Sequence, residues 1–225
     1  MTPLNPPPDY FARVRDDIFS LVPKSPGLRV LDVGCGEGVL GRRLKNLGQR
    51  VHGVELSPAA AALAAEVLDD VIVGDAEKIG LNFAEEFFDT IILGDVLEHF
   101  YDPWGFMARM RRLLKPQGRI IASIPNLQYF PIVLNLLCGK FEYRQHGVLD
   151  ISHIRFFTAR EVEKMFKGAG FRITNTPAVY PYRHPLTRKT AAVIDRFTLR
   201  IFSHFLIGNI FVVATKAAAG KPLAQ

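Results

Sequence analysis

Three places in the first half of the chain carry residues suited to holding a charged, sugar-bearing ligand. Residues 30–38 read Val-Leu-Asp-Val-Gly-Cys-Gly-Glu-Gly, an apolar run opening directly into three glycines. Glycine lets a backbone pass close to a ligand and take a turn other residues resist. Asp32, at the end of the run, can set a carboxylate over that loop. Glu55 follows 21 residues after Gly34, at the end of a second apolar run. An acid at that place in a βαβ unit accepts bonds from ribose hydroxyls. Asp75, in Gly74-Asp-Ala76 beyond a third run, can accept from the exocyclic amine of an adenine. Gly36-Glu-Gly-Val-Leu-Gly41 also fits the dinucleotide pattern G-x-G-x-x-G, with Glu55 19 residues past Gly36, so an NAD-dependent oxidoreductase stays open. Against it, Asp32 would crowd a pyrophosphate with like charge.

Six histidines supply groups that can move protons near neutral pH. His99 follows the fourth apolar run, and His146 and His153 lie in an aperiodic, aromatic and basic stretch. His52 sits inside a strand and reads as structural. Asp95, Glu98 and His99 form an acid-x-x-Glu-His string, the arrangement to test for a metal.

The elements that must position these residues alternate from residue 10 onward. Tyr10 to Leu21 reads as a helix, Leu28–Val33 as a buried strand, Val39–Leu47 as a helix and Val51–Leu56 as strand two. Ser57-Pro58 is an N-cap followed by proline at the first helical position, opening a helix through Val67. Val71–Val73 is strand three and Phe88–Leu93 strand four. Asp102-Pro103 repeats the cap signal before a helix over Trp104–Leu114. Lys115 to Gly118 reads as a turn and Arg119–Ile124 as strand five. Thr158-Ala-Arg-Glu161 is a capping box opening a helix to Lys167. Phe171–Asn175 is strand six, Thr187–Leu206 a helix and Asn209–Thr215 strand seven. Five strands at βα spacing predict a parallel, doubly wound α/β sheet with helices on both faces. The expectation is one domain over 1–225 with two insertions, 126–158 as a lid over an acceptor site and 177–208 as a helical insertion.

Composition sets bounds. With 48% hydrophobic residues in 225, the chain can fill a core and is not disordered. Two cysteines, Cys35 and Cys138, exclude a disulfide framework and a four-cysteine zinc site. They suit a reducing cytoplasm. Residues 1–9 are proline-rich and lack the pattern of a signal peptide. Ile120 to Gly139 is uncharged and long enough to span a bilayer, but Pro125, Asn126, Gln128, Pro131 and Asn135 make it a strand, a loop and a short apolar helix. Residues 1–103 hold 9 Lys/Arg and 17 Asp/Glu, a charge of −8; residues 104–225 hold 19 and 5, a charge of +14. A basic half suggests an anionic partner or a solvated face. Ile194, Phe197, Ile201 and Phe205 would share one face of the last helix, which suits packing on the domain or lying on a membrane.

Leu31-Asp-Val-Gly-Cys-Gly-Glu-Gly38 resembles the first motif of class I S-adenosylmethionine-dependent methyltransferases. Glu55, Asp75 and Phe88-Asp-Thr-Ile-Ile-Leu-Gly-Asp-Val-Leu-Glu-His99 are similar to the second, third and fourth motifs, and Leu113 to Ile120 to the approach to strand five. The resemblance implies a Rossmann-like sheet of seven strands, mostly parallel, with strand seven antiparallel. It implies that Asp32, Gly34 and Gly36 line the methionine part of S-adenosylmethionine, with Cys35, Gly38 and Leu56 also among the cofactor-binding residues. Glu55 would hold the ribose, Asp75 and Ala76 flank adenine, and Asp95, Val96 and Leu97 form the floor. Gly147 to Thr158 is similar to a segment of a subgroup associated with cell-surface glycan and secondary biosynthesis. The activity implied is methyl transfer to an O or N centre of a small molecule, with a sugar, anionic or lipid-linked acceptor in view. His153 is the expected base and His99 the next. Some quinone- and RNA-end-modifying members carry Glu-x-x-Glu-His at a metal. This chain has Asp95 first and also resembles metal-free members, so no metal is expected. A nucleic-acid methyltransferase is disfavoured, because no Asn-Pro-Pro-Tyr-like string follows strand four. A non-catalytic cofactor binder is the remaining alternative. The location implied is the cytoplasm or the inner face of its membrane.

Overall fold

The structure, a computed structural model, describes residues 11–179 and 203–217. Seven strands form one sheet: β1 Arg29–Val33, β2 Arg50–Glu55, β3 Asp70–Val73, β4 Phe88–Gly94, β5 Leu114–Pro125, β6 Phe171–Asn175 and β7 Asn209–Lys216. Their order is β3-β2-β1-β4-β5-β7-β6. β1 to β5 run parallel, and β7 lies antiparallel to both β5 and β6. The helices are α1 Asp16–Leu21, α2 Val39–Lys45, α3 Pro58–Ala65, α4 Pro103–Leu113, α5 Phe130–Leu137, α6 Ala159–Gly168 and α7 Ser203–Leu206, with a 3₁₀ turn at Leu97–His99.

Alternating side chains of the central strands feed two cores. Leu31, Val33, Ile91 and Leu93 face α4 and α6, meeting Phe106, Met110 and Phe166. Val30, Ile92 and Ile121 face the other way, meeting Ile18 of α1, Leu44 of α2 and Ala64 of α3. Both faces of the strands are apolar because both are covered by helices. Burying one such side chain is worth about 1.5–3 kcal/mol. The sheet is the seven-stranded Rossmann-like one that the motifs imply.

The two cap-plus-proline signals act as read. Ser57 Oγ accepts from the Ala60 amide, and Asp102 accepts from the Gly105 amide at 2.9 Å. Thr158 Oγ1 caps the Glu161 amide, while the Glu161 carboxylate bonds Lys164. Two expectations need correction. The first helix begins at Asp16 rather than Tyr10, because the preceding residues cross the glycine loop, where the Phe11 carbonyl accepts from the Glu37 amide at 3.0 Å. Lys115 to Gly118 is strand, not turn; a register shift against β4 between Phe88 and Thr90 absorbs it. The helix expected over Thr187–Leu206 falls within the described residues only at Ser203–Leu206.

The insertion between β5 and α6 holds α5 and a loop tied by isolated bridges Asn126–Phe157 and Arg144–Asp150. Among the described residues, no helix is long and apolar enough to cross a membrane.

Candidate functional site

A cavity of about 380 Å³ opens at the carboxyl ends of β1, β2 and β4. Ligands of open α/β sheets sit at that end, where the strand order reverses. The volume lies in the range of sites for drug-sized molecules.

The glycine loop builds one wall. The amides of Gly34 and Cys35 donate to the Val54 carbonyl, which draws the loop across the end of β2. Gly34 has φ +73°, and a Cβ there would stand 2.5 Å from Val96 Cγ1. Only glycine fits this turn and leaves the space beside it open.

Glu55 anchors the loop from below. Its carboxylate accepts from the Gly36 amide at 2.9 Å and the Ser57 amide at 2.8 Å, one bond per oxygen. A carboxylate has about four acceptor positions, so two remain for a ligand diol. Asp32 is buried, and its carboxyl is pushed up to about 7 by burial, with Arg15 opposing and Glu55 adding to the shift. Asp75 caps the Glu77 amide at 3.0 Å and pairs with Lys78 at 2.7 Å.

Asp95 adopts φ +55°, unusual for a side-chain-bearing residue. Its carboxylate receives Ser123 Oγ at 2.6 Å, Asn209 Nδ2 at 2.8 Å and Arg15 Nη1 at 3.2 Å. It therefore faces Arg15 rather than the Glu98-His99 pair.

A cluster of titratable groups surrounds His99. His99 lies on the cavity wall, with Nδ1 3.1 Å from the Ser152 carbonyl. A carbonyl only accepts, so Nδ1 carries the proton and Nε2 keeps its lone pair. Burial, with His153 alongside, lowers the His99 pKa to about 4. His153 Nδ1 meets the Val148 carbonyl at 3.0 Å in the same manner. The two rings pack edge to face with centroids 4.9 Å apart. Behind them Glu98 is 1% exposed, and neither carboxyl oxygen has a hydrogen-bond partner among the described residues. Burial, then Asp95, raises the Glu98 pKa well above the carboxylic range. One donor atom each from Glu98, His99 and His153 lie within 4.8 Å of one another, the spacing of a metal ligand set.

Of the residues singled out by sequence, Asp32, Gly34, Cys35, Gly36, Glu55, Leu56, Asp75, Ala76, Asp95, Val96 and His99 line the cavity. Three stand off the wall. Gly38 sits behind the loop at the start of α2, Leu97 is buried in the core, and His153 is 8% exposed behind His99. Sequence reading missed Arg13, Arg15, Glu77 and Tyr101, which also line it. No spacing rule ties Arg15 to the loop; only the fold brings it there.

The chamber fits S-adenosylmethionine on its own features. A glycine turn that no side chain could replace borders the space, the buried acid Asp32 lines it where a cationic group would be favoured, and Glu55 has acceptor capacity left.

Residues 9–176 match the family model of the methyltransferase domain. The chain is 31% identical over 164 residues to a ubiquinone biosynthesis O-methyltransferase of Nitrobacter winogradskyi, covering 68% of this chain and 60% of the relative. It is 28% identical over 168 residues to the protein of that name from Nitrosococcus oceani, covering 72% and 70%. The chain thus spans about 60% of the length of the first of these relatives. The fold matches an S-adenosylmethionine-dependent methyltransferase from Mesorhizobium loti, with TM-score 0.64 and 19% identity over 92% of this chain and 97% of that one. Another from Archaeoglobus fulgidus gives TM-score 0.66 at 16% identity, covering 92% and 97%. The chain belongs to the methyltransferase-domain family, and its cofactor is S-adenosylmethionine.

Proposed function

We propose that the protein methylates an oxygen of a small molecule, with His99 Nε2 receiving the proton of the acceptor hydroxyl. The observation that carries this reading is the position of His99. It lies on the cavity wall with its second nitrogen fixed by the Ser152 carbonyl. The O-methyltransferase names of the relatives favour oxygen over nitrogen. When bound, S-adenosylmethionine supplies an electrophilic methyl group.

The chain's own task is orientation and proton removal. Asp32 and Glu55 hold the donor from the sheet side, while Tyr101, Ser152 and Ile154 close the acceptor side. Burial keeps His99 neutral, so its Nε2 lone pair is available, while the same burial weakens it as a base. His153 packs behind it and holds the ring in place. The test is labelled methyl transfer to a panel of phenols, catechols and hydroxylated sugars. His99→Asn should lower turnover about 10²-fold or more, with S-adenosylhomocysteine affinity within a few-fold. Unchanged turnover on an accepted substrate would overturn the role of His99.

A second reading rests on Glu98. A buried carboxyl whose oxygens have no hydrogen-bond partner among the described residues, one of them 3.8 Å from His153 Nε2, facing two imidazoles whose Nδ1 protons are committed to carbonyls, is the donor set of a divalent cation. Glu98, His99 and His153 would hold the ion, which would polarise the acceptor oxygen. Chelation followed by return of Mg²⁺, Mn²⁺ or Zn²⁺ separates the readings. Turnover indifferent to chelator keeps the base alone.

A further inference from the structure

We propose that α5 and the loop after it form a docking face for an anionic lipid bilayer, set beside the mouth of the cavity. Helix α5, Phe-Pro-Ile-Val-Leu-Asn-Leu-Leu, is apolar but has no buried residue. Leu134, Leu136 and Leu137 are 55%, 53% and 78% exposed. A helix of this composition is ordinarily covered, and contiguous exposed apolar surface marks an interaction site.

The patch continues toward the cavity through amphipathic side chains. Exposed Phe141 packs against Tyr143 at 5.5 Å and against Phe156 at 5.7 Å between ring centroids. The neighbouring Arg155 guanidinium lies 5.5 Å from the half-exposed Trp104 ring and donates to the Tyr101 carbonyl at 2.6 Å. Tyr101, Ser152 and Ile154 belong to the cavity wall. The composition grades from leucine, through Trp, Tyr and Arg, to the chemical site. Side chains with an apolar body and a polar tip are those that settle at the boundary of a bilayer.

Charge selects the occupant. Residues 127–160 hold Lys140, Arg144, Arg155 and Arg160 against Glu142 and the buried Asp150, so the exposed charge of the insertion is positive. Two copies of the face would bring like charges together. An anionic lipid surface meets both the leucines and the cations, each cation near the surface adding to binding. A cavity held at the lipid boundary would draw its acceptor from the membrane phase, which deepens the small-molecule reading of this site and rests on it.

The experiment is flotation of the full chain with vesicles of phosphatidylcholine alone and with 30% phosphatidylglycerol. The expected result is flotation with the anionic vesicles, at least tenfold weaker with phosphatidylcholine alone, and lost at high salt. Leu134→Asp/Leu137→Asp should weaken it at least tenfold while S-adenosylhomocysteine affinity and melting temperature hold. Lys140→Glu/Arg144→Glu should do the same. No flotation, equal binding to both vesicles, or wild-type binding by the leucine variant would overturn the proposal. So would a dimer, seen by light scattering and lost in the leucine variant, since a second copy would then cover the face. Failure here with methyl transfer intact would leave the proposed activity standing; lost transfer with flotation intact would do the reverse.

Discussion

Arg15 and Asp95 lie 80 positions apart and meet with a guanidinium nitrogen 3.2 Å from a carboxylate oxygen. The same guanidinium donates to Ser123 Oγ at 2.8 Å, so the segment before α1 is fastened to β4 and β5. The contact holds Asp95 in its left-handed conformation, which costs on the order of 1–3 kcal/mol. It also turns the Asp95 carboxylate away from Glu98. Arg15→Met would leave the half-buried Asp95 with only the more distant Arg13 guanidinium, 3.9 Å away, as its cation. The expected loss is about 1–3 kcal/mol of unfolding free energy, as for hydrogen bonds to a charged group, together with weaker cofactor binding. Urea titration checks it; an unchanged midpoint would refute the structural role.

Asp32 gives a pH dependence of definite sign. Its folded pKa, about 7, lies above the ordinary 3.8. Such a carboxyl contributes most stability below the ordinary value, and the contribution is lost as pH rises through 7. The change is at most about 4 kcal/mol over that window. A cationic donor reverses the preference by favouring the carboxylate. S-adenosylhomocysteine, through its ammonium, should therefore bind about tenfold more tightly at pH 8 than at pH 6. Asp32→Asn should flatten both trends. Calorimetry and melting curves over pH 5.5–8.5 read them.

Glu55→Ala removes the acceptor of two backbone amides as well as the proposed ribose partner. Cofactor affinity should fall by about 1–3 kcal/mol, as for charge-assisted bonds. Gln, which keeps one carbonyl acceptor, should recover part of it. Equal affinity of Glu55→Ala and the parent by calorimetry would contradict the assignment.

Glu77 joins the two halves of the site. Its carboxylate oxygens accept from the Tyr101 and Asp102 amides at 2.8 and 2.7 Å, while Arg109 donates to the Ala76 and Glu77 carbonyls. The loop after β3 is thereby stapled to the start of α4 and to the segment bearing His99. In the parent, S-adenosylhomocysteine should slow amide exchange across 97–103. In Glu77→Ala the ligand should still bind within about fivefold, a loss of roughly 1 kcal/mol, but without that slowing. Persistent protection in the variant would count against the staple.

Local chemistry was the legible part of this chain. The run from Val30 into the glycines, the acid of Glu55 and the Asp102-Pro103 cap each act within a few residues, so their spacing carries them. Lys115 to Gly118 misled because a proline and a glycine mark a turn equally well as an irregular strand, and pairing with β4 decided between them. The expected order, His153 ahead of His99, rested on position in the insertion, which does not decide it, since depth behind the wall depends on how the insertion folds back. The Glu98 amide plane shows that dependence: its carbonyl accepts from the Ile154 and Arg155 amides at 3.0 Å, a contact made across more than fifty residues. Arg15 was invisible for the same reason.

The position of β7 bears on how the chain is made. It slots between β5 and β6 and is the sheet neighbour through which β6 is attached. A ribosome that has not yet released residues 209–216 therefore holds a five-stranded parallel block with an open edge at β5, and β6 lacks the strand it pairs with. Two strand edges stay unpaired until a single late strand enters between them. Such edges are templates for association with other chains, and late non-local pairing is slow. Translation pauses before residue 209, or lesions in β7, should thus raise aggregation of nascent chains far more than equal damage to β3 at the opposite edge of the sheet.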